Sequence, residues 1–500
     1  MANINISNLS FSYNNNYEAI FTNVSLQLDS DWKLGLIGRN GKGKTTFFKL
    51  LTNQLEYRGS IDSTISFESF PFTVNNQDNL VSDLFLEYLY DVELWQIKKE
   101  LNLLNIDDGI LYQPYNLLSG GQQVKIMLAI LFLKPNCFLL IDEPTNHLDI
   151  EGRQIVSEYL NKKTGFILIS HDRQFLNNCV DHIMSINNET ITVHQGNYDT
   201  WKENKDNQDL FELKQNEKLK KDIKKLDLSA KRTAKWSNEV EKTKNLGKSA
   251  KSGKLDQGVK PDKGHIGAMA AKMMKRSISA QNRKEKALED KRKLLKEIEV
   301  IEPLKLNYLN HHNKTLVEFI DVSLYYDKRI VKDNINFTIQ QQERIALVGS
   351  NGSGKTSIIK ALVSNIKQTG TINKASNLKI DYVAQDTSFL KGSLQTFIKE
   401  NNLDESKFKA ILRKLGFSRN QFTKSLDNYS SGQKKKVLIA RSLCEEAHLY
   451  IWDEALNYLD IISRIQLENV ILEYQPTMLF VEHDQEFLAN IATDIVYLDI

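Results

Sequence analysis

The sequence predicts two α/β domains in tandem, and three observations lead to this fold class. The length of 500 residues exceeds what one hydrophobic core can hold, since single cores stop growing at about 250 to 300 residues. A set of short motifs recurs at a nearly constant offset along the chain. Short continuous apolar runs precede these motifs, which is typical of strands buried on both faces of a mainly parallel sheet.

A glycine-rich loop gives the offset most clearly. Residues 38–45 have the pattern G-x-x-x-x-G-K-[ST], and residues 349–356 repeat it at an offset of 349 minus 38, or 311. After a strand, such a loop and the helix that follows it cradle phosphate oxygens with backbone N–H groups. The residues predicted to bind nucleotide here are Gly38, Asn40, Gly41, Gly43, Lys44, Thr45 and Thr46 in the first copy and Gly349, Asn351, Gly352, Gly354, Lys355, Thr356 and Ser357 in the second.

An Asp-Glu pair closes another apolar run in each copy, at positions 142–143 and 453–454. The glutamate follows the loop lysine by 99 residues in both cases, 143 minus 44 and 454 minus 355. A carboxylate at the end of a buried strand can assist Mg²⁺, and the next one can orient or polarise an attacking water. The predicted metal residues are therefore Thr45, Asp142, Thr356 and Asp453, and the predicted catalytic carboxylates are Glu143 and Glu454.

A histidine follows a third apolar run in each copy. His171 comes after residues 166–169, and His483 comes after residues 478–481. A lone histidine at a strand end is more often structural, but its recurrence at nearly the same offset favours a functional role. We therefore predict that His171 and His483 are catalytic residues that sense the γ-phosphate.

A Ser-Gly-Gly-Gln motif separates this sequence from most phosphate-loop proteins. It lies in residues 118–122, Leu-Ser-Gly-Gly-Gln, and returns in residues 429–433 as Tyr-Ser-Ser-Gly-Gln. The motif resembles the signature of ABC-type ATPases. The resemblance implies two tandem ABC-type nucleotide-binding domains that pack head to tail, so that the signature of one completes the ATP site of the other. The signature residues implied as ATP ligands are Ser119, Gly120, Gly121, Gln122, Ser430, Gly432 and Gln433.

The same resemblance implies roles for three further residues, and the sequence departs from the family pattern at one position. Tyr13 and Tyr326 match the aromatic residue that stacks on adenine, although either tyrosine alone would more often be an ordinary strand or loop residue. Gln385 matches a glutamine that contacts ATP and the metal, whereas the corresponding position of the first copy holds Phe72. This departure, with the altered second signature, leads us to expect unequal hydrolysis at the two sites.

The charge is concentrated in one segment. Residues 214–296 contain 26 Lys or Arg and 10 Asp or Glu, a net charge of +16, so the rest of the chain carries 3 minus 16, or −13. Apolar residues at helical spacing predict an antiparallel hairpin of two amphipathic helices, each about 35 to 40 residues long and about 50 to 60 Å in length. A stretch rich in Gly, Lys and Ser, residues 245–267, is predicted as the loop at its tip.

A solvated coiled-coil spacer is the ordinary interpretation of a charged helical segment. A spacer would mix charge signs more evenly, however, whereas a large cationic excess favours binding to phosphate backbones. Trp236 is the only aromatic residue between Phe211 and Tyr308, so base stacking is not the expected mode. Recognition of structured RNA by backbone and shape is the prediction.

No targeting signal or membrane segment is predicted. The longest apolar run, residues 126–133, is far shorter than the roughly 20 residues needed to cross a bilayer, and the N-terminus lacks a secretory pattern. The three cysteines, Cys137, Cys179 and Cys444, lie in no metal-binding spacing and are expected to be thiols. The expected location is the cytoplasm.

Two such domains with a basic helical hairpin between them and no membrane segment resemble the ABC-F proteins, and this resemblance covers the whole chain. The predicted domains are residues 1–200, the hairpin at 201–313, and residues 314–500. The resemblance implies ATP and Mg²⁺ as cofactors and hydrolysis of ATP to ADP and phosphate. It also implies the ribosome as partner, with the hairpin on large-subunit rRNA and P-site tRNA. A monomer with no membrane subunit and no DNA partner is expected.

Within that group, the sequence is similar to the Lsa-type antibiotic-resistance members. The intervals from position 72 to 118 and from 385 to 429, of 46 and 44 residues, leave no room for the inserted arm of the housekeeping factors. The similarity implies protection of the ribosome from lincosamides, pleuromutilins and group A streptogramins. The alternatives are a housekeeping ABC-F translation factor for stalled ribosomes, the ATPase subunit of a drug exporter, and a DNA-associated tandem ATPase.

Overall fold

The computed structural model describes residues 3–13, 19–89, 91–187, 190–246, 302–326, 329–364 and 366–498, with the single positions 275, 278, 279, 282 and 286. The chain divides into two compact units. One comprises Met1–Trp201 with Ile301–Ile500, and the other comprises Lys202–Val300. Both copies of the repeated motifs lie in the first unit.

Strands of the first half build an antiparallel sheet and a mainly parallel one. In chain order they are β1 (Asn3–Phe11), β2 (Phe21–Asp29), β3 (Lys33–Ile37), β4 (Arg58–Asp62), β5 (Ser66–Phe70), β6 (Cys137–Asp142), β7 (Phe166–Ile169), β8 (His182–Asn187) and β9 (Thr190–Gln195). The antiparallel sheet has the order β2-β1-β4. The other has the order β5-β6-β7-β3-β8-β9, in which all pairings are parallel except β8 with β9.

The second half repeats this arrangement. Its strands are β10 (Thr315–Tyr326), β11 (Arg329–Gln340), β12 (Arg344–Val348), β13 (Gln368–Lys374), β14 (Ile380–Val383), β15 (Leu449–Asp453), β16 (Met478–Val481) and β17 (Asp494–Tyr497). An antiparallel sheet has the order β11-β10-β13, and a parallel sheet has the order β14-β15-β16-β12-β17.

Helices connect the strands in both halves. In the first half they are α1 (Lys44–Leu51), α2 (Val81–Tyr88), α3 (Leu94–Leu103), α4 (Gly120–Leu133), α5 (Ile150–Asn161), α6 (Arg173–Cys179) and α7 (Tyr198–Leu246). In the second half they are α8 (Lys355–Val363), α9 (Leu394–Glu400), α10 (Glu405–Lys414), α11 (Ser431–Cys444), α12 (Ile461–Tyr474) and α13 (Gln485–Ile491). The predicted fold class, two tandem α/β domains, is confirmed.

The central strands are apolar throughout because both of their faces are covered. All four residues of β7 and all four of β16 are buried. In each half, one apolar cluster lies between the parallel sheet and helices, and another fills the space toward the antiparallel sheet. Polar side chains can therefore be placed only where these strands end.

Parallel pairing brings those strand ends to one edge of each sheet. Asp142 at the end of β6 pairs with Ile169 at the end of β7, and Asp453 at the end of β15 pairs with Val481 at the end of β16. In both halves the glycine-rich loop follows the neighbouring strand, β3 or β12. The loop, the acidic pair and the histidine of each half consequently share this edge.

Helix α7 is longer than the sequence predicts. It contains 49 residues, which corresponds to about 73 Å at the standard rise, and it begins at Tyr198. Residues 245 and 246, predicted as the start of the tip loop, are the helical end of α7. The rest of that loop and the predicted return helix lie outside the described residues, apart from the single positions named above, which are helical. Among the described helices, none combines the length and apolar character that crossing a bilayer requires.

The two halves contact each other through a buried cluster of ion pairs. Arg173, in the first turn of α6, is only 4% exposed and binds Glu468 of α12 through both terminal nitrogens, one of them at 3.2 Å. Its Nε lies 3.0 Å from Glu486 of α13. Breaking a buried ion pair by removing one partner leaves an uncompensated charge in a poorly solvated environment, which is strongly destabilising.

The equivalent position of the second half carries no charge. Residue 485 is an exposed glutamine where the first half has Arg173, and position 157, the counterpart of 468, is a serine. Gln485 and Ser157 line a cavity of about 590 Å³ together with residues of α5 and α6. The contact between the halves is therefore asymmetric, with ion pairs on one side and an open polar cavity on the other.

We expect Arg173→Ala to lower the free energy of unfolding by about 3–5 kcal/mol, because Glu468 would remain buried without its partner. Gln485→Ala is the matched control at the equivalent position, and its effect should stay within about 0.5 kcal/mol. Urea denaturation of both variants measures the difference. Equal stability of the two variants would show that the ion-pair cluster does not hold the halves together.

Candidate functional site

Each glycine-rich loop ends in a left-handed glycine that begins a helix. Gly43 precedes α1 with φ 97°, and Gly354 precedes α8 with φ 98°. A side chain at Gly43 would be strained by this φ and would also meet Ile20 at 2.6 Å. A glycine at the N-cap has no side chain to accept a hydrogen bond from the first helical N–H groups. These groups can therefore bind an anion.

The lysine of each loop points back along the loop that carries it. The Lys44 ammonium donates to the Gly38 carbonyl at 2.6 Å, and the Lys355 ammonium donates to the Gly349 carbonyl at 2.7 Å. Both lysines are buried, and burial lowers the pKa of Lys44. Each loop thus encloses one cation where phosphate oxygens are predicted to bind.

The hydroxyl after each lysine faces the aspartate at the end of the neighbouring strand. Thr45 Oγ1 donates to Asp142 Oδ2 at 3.1 Å, and Thr356 Oγ1 donates to Asp453 Oδ1 at 3.5 Å. Burial raises the pKa of Asp453 to about 6. Its Oδ2 is buried without a hydrogen-bond partner among the residues that the structure describes. Hydroxyl and carboxylate oxygens of this kind fit a small hard cation such as Mg²⁺.

The glutamates that follow have a strained backbone in both halves. Glu143 has φ 51° and Glu454 has φ 48°, in the left-handed region that only glycine adopts without cost. Such strain persists where the surrounding structure enforces it, and it clusters at functional sites. His171 Nε2 lies 3.3 Å from Glu143 Oε1, and His483 Nε2 lies 3.6 Å from Glu454 Oε1. The glutamate and histidine predicted from each copy are therefore neighbours.

Each signature serine caps a helix. Ser119 and Ser430 are the N-caps of α4 and α11, and each accepts a hydrogen bond at 3.3 Å from the backbone N–H of the glutamine three residues later. The side chains of Gln122 and Gln433 accept in return from the serine N–H groups. These reciprocal capping boxes fix the start of both helices, including Gly120, Gly121 and Gly432.

We define two composite sites from these parts. Site A comprises residues 38–46, Asp142, Glu143 and His171 of the first half with residues 430–433 of the second. Site B comprises residues 349–357, Asp453, Glu454 and His483 of the second half with residues 119–122 of the first.

Site A brings residues of both halves into contact. The side-chain amide of Asn40 donates to the Tyr458 carbonyl at 2.8 Å, and the Asn40 backbone N–H lies 3.4 Å from Asp460 Oδ2. A methyl group on Gly432 would meet the Tyr458 carbonyl at 2.5 Å and the Asn40 amide at 3.0 Å. Glycine is therefore required at position 432, first by the Tyr458 carbonyl of its own half and then by the Asn40 amide of the first half.

Site B has a corresponding contact. The Asn351 backbone N–H donates to Asp149 Oδ2 at 3.3 Å. Arg153 of the first half donates from Nη1 to the His483 carbonyl at 3.0 Å and pairs with Asp172 at 2.9 Å. Both glycine-rich loops therefore touch the opposite half of the chain.

Of the two tyrosines predicted to contact adenine, the structure describes the side chain of Tyr13 but not that of Tyr326. Tyr13 is 40% exposed, its ring packs edge-on against Phe11, and its hydroxyl lies 3.1 Å from Thr46 Oγ1. Tyr326 is the last residue of β10, and its side chain is outside the described part. The adenine contacts of both stay predictions.

Phe72 and Gln385 occupy equivalent positions of the two halves but make different contacts. The Phe72 ring packs against Tyr88 at 4.8 Å, whereas the Gln385 side chain acts on Glu454 and helps to lower its pKa. Burial raises the pKa of Glu143 to about 8. Burial acts in the same direction on Glu454, but contacts with His483 and Gln385 and the charge of Lys435 outweigh it and lower its pKa.

Sequence reasoning missed several residues at these sites. Asp149 and Asp460, which reach across to Asn351 and Asn40, end the stretches 142–149 and 453–460 in both copies, so the repeat could have identified them. Lys436 pairs with Asp460 at 2.6 Å, and although burial raises the pKa of Asp460, this contact outweighs burial and holds it well below its usual range. No sequence motif indicated Lys436.

Comparison with known families supports the repeat. The model of the ABC transporter family matches residues 21–146 and 332–457. These two ranges contain both glycine-rich loops, both signatures and both Asp-Glu pairs.

Several curated proteins are similar to this chain over most of its length. The ribosome protection protein VmlR of Bacillus subtilis (strain 168) is 27% identical over 498 residues, covering 97% of this chain and 84% of VmlR. The ATP-binding protein Uup of Buchnera aphidicola subsp. Schizaphis graminum is 29% identical over 496 residues, covering 94% and 77%. The probable ATP-binding protein YbiT of Escherichia coli O157:H7 is 26% identical, covering 95% and 93%.

Solved structures share the fold. The archaeal ribosome recycling factor aABCE1, crystallised with the ribosomal stalk protein aP1, matches with a TM-score of 0.62 at 18% identity, covering 98% of this chain and 87% of that one. A structure of RNase-L Inhibitor matches with a TM-score of 0.60 at 18% identity and the same coverage.

We expect the two sites to respond differently to pH. Glu143, with a pKa of about 8, gains its negative charge as the pH rises from 7 to 9, whereas the lowered pKa of Glu454 keeps it ionised across this range. ATP turnover at site A, measured in Glu454→Gln, should therefore rise roughly tenfold over this range, and turnover at site B, measured in Glu143→Gln, should change less than about twofold. Parallel profiles for the two variants would contradict the difference.

Proposed function

Because the chain belongs to the ABC transporter family of ATPases, and within it to the ribosome-associated ABC-F group, we propose that it is a cytoplasmic ribosome protection protein. It hydrolyses ATP. With ATP bound it associates with the ribosome, and the hairpin segment reaches the peptidyl-transferase centre and disturbs bound lincosamides, pleuromutilins and group A streptogramins. The observation that carries this proposal is the helix α7, which opens a segment of charge +16 between two ATP-binding halves.

The charge and the similarity to VmlR support the choice of partner. A cationic segment in an otherwise acidic chain gains affinity for RNA by releasing counterions from phosphates. Large-subunit rRNA and P-site tRNA present such phosphates, and the segment contacts both in the proposed complex. The protein acts as a monomer of three parts, residues 1–200, the hairpin at 201–313 and residues 314–500, without a membrane subunit and without DNA.

ATP binds between the two halves in sites A and B. The loop N–H groups and Lys44 or Lys355 hold the phosphates, and the signature of the opposite half covers the γ-phosphate. Thr45 with Asp142, and Thr356 with Asp453 and Gln385, would hold Mg²⁺, which would supply positive charge to neutralise the phosphates. The remaining chemistry belongs to Glu143 and Glu454, which orient and polarise the attacking water next to His171 and His483.

Hydrolysis then separates the halves. Asn40 contacts Asp460 and Asn351 contacts Asp149, so each phosphate-binding loop is joined to the opposite half. Loss of the γ-phosphate removes the anion that both halves bind. The closed state therefore depends on ATP, and when the halves separate the protein dissociates from the ribosome.

Binding to the ribosome is tested with the Glu143→Gln, Glu454→Gln double variant. It binds ATP without hydrolysing it, so we expect it to sediment with ribosomes when ATP is present. The matched control is Lys44→Ala, Lys355→Ala, which loses the phosphate-binding cations and should remain in the supernatant. If the glutamine double variant is absent from the ribosome fraction, the proposed binding to the ribosome is wrong.

Antibiotic susceptibility separates protection from a housekeeping role in translation. In a sensitive host, wild-type protein should raise the inhibitory concentration of a lincosamide or pleuromutilin, and the lysine variant should not. Unchanged intracellular drug accumulation is expected, because protection does not export the drug. Ribosome binding without any change in susceptibility would favour the ABC-F translation factor instead.

A further inference from the structure

The surroundings of Glu454 differ from those of Glu143 at three further positions. Lys435 replaces Val124, Glu482 replaces Ser170, and Leu456 replaces Thr145 at the equivalent positions of the same elements. In the first half, Thr145 Oγ1 and Ser170 Oγ lie 3.5 Å apart, so two hydroxyls fill this space. The second half instead places a cation and a carboxylate in its core.

Lys435 is a buried cation on the helix that begins with a signature serine. It lies in the second turn of α11, is only 2% exposed, and donates from its ammonium to the Ala384 carbonyl at 3.0 Å. Ala384 directly precedes Gln385, whose side chain acts on Glu454 and helps to lower its pKa. Burial lowers the pKa of Lys435, and the nearby carboxylates counteract this effect.

Glu482 lies in the same pocket, where burial raises its pKa to about 8. It is 2% exposed, directly precedes His483, and accepts a hydrogen bond from the Leu456 N–H at 2.9 Å. The charge of Lys435 acts on Glu482, Asp453 and Glu454. The Lys435 cation and the Glu482 carboxyl group occur together in the second half, and both are absent from the first.

We propose that Lys435 is a positioning residue for ATP hydrolysis at site B. By binding the Ala384 carbonyl, its ammonium holds Gln385 against Glu454, and its charge offsets the carboxylates gathered around that glutamate. The first half has Val124 and Phe72 in place of Lys435 and Gln385, so Glu143 of site A is held in a different way. The inference rests on the proposed role of Glu454 but not on binding to the ribosome.

The position of Lys435 also links the two sites through one helix. The first residues of α11 belong to site A, where Gly432 approaches Asn40. Lys436, the next residue, binds Asp460, which also contacts Asn40. Two successive lysines of one helix therefore face different sites, Lys435 toward the chemistry of site B and Lys436 toward the loop of site A.

The test uses ATPase assays without ribosomes in the Glu143→Gln background, in which turnover comes from site B. Lys435→Met should lower kcat by about tenfold and leave KM for ATP within about twofold, because the loss concerns the attacking water and not ATP binding. Lys435→Arg, which keeps the cation, should restore most of kcat. Lys434→Met removes a charge from the neighbouring position of the same helix and should leave kcat unchanged.

A second variant separates positioning from folding. Lys435→Val with Glu482→Ser installs the pair of the first half and leaves no unpaired charge, so its unfolding midpoint should match the parent while kcat stays low. A parent-like kcat in this folded variant would overturn the proposal, as would a rise in KM with kcat unchanged. Retained turnover in Glu143→Gln, Glu454→Gln would instead refute the role of Glu454 itself.

Discussion

Apolar burial of the parallel strands is the constraint on which the other features depend. The strands β7 and β16 are covered on both faces, so charged groups are excluded along their length and collect where they end. Parallel pairing places all of these ends at one edge of each sheet. The glycine-rich loop, the acidic pair and the histidine are brought together by this rule, although they are far apart in the sequence.

Both glycine-rich loops contact the opposite half of the chain. Asn40 reaches the Tyr458 carbonyl and Asp460, and Asn351 reaches Asp149. In the proposed function neither site is complete within one half, so ATP bound there would contact both halves. A conformational change that depends on ATP is the direct consequence, and it gives a protein with these sites a way to hold or release a partner.

The two halves share a fold but differ in their polar interiors. The second half surrounds its glutamate with a glutamine, a lysine and an additional carboxylate, and the first half has Phe72, Val124 and Ser170 at those positions. On the outer part of the interface, Arg173 binds two glutamates while its counterpart Gln485 lines a cavity. These differences favour distinct roles for the two sites within one cycle of closing and opening.

Local pattern determined the fold class, the repeat and most of the candidate residues. Loop glycines, apolar runs and the signature are contiguous, and each reflects a backbone or burial requirement that is visible in a few residues. The contacts of Asn40 with Asp460, of Lys435 with Ala384 and of Arg173 with Glu468 were decided only by the tertiary structure. They join residues that are distant in sequence, and both burial and the neighbouring charges shift the pKa values of the ionisable groups involved.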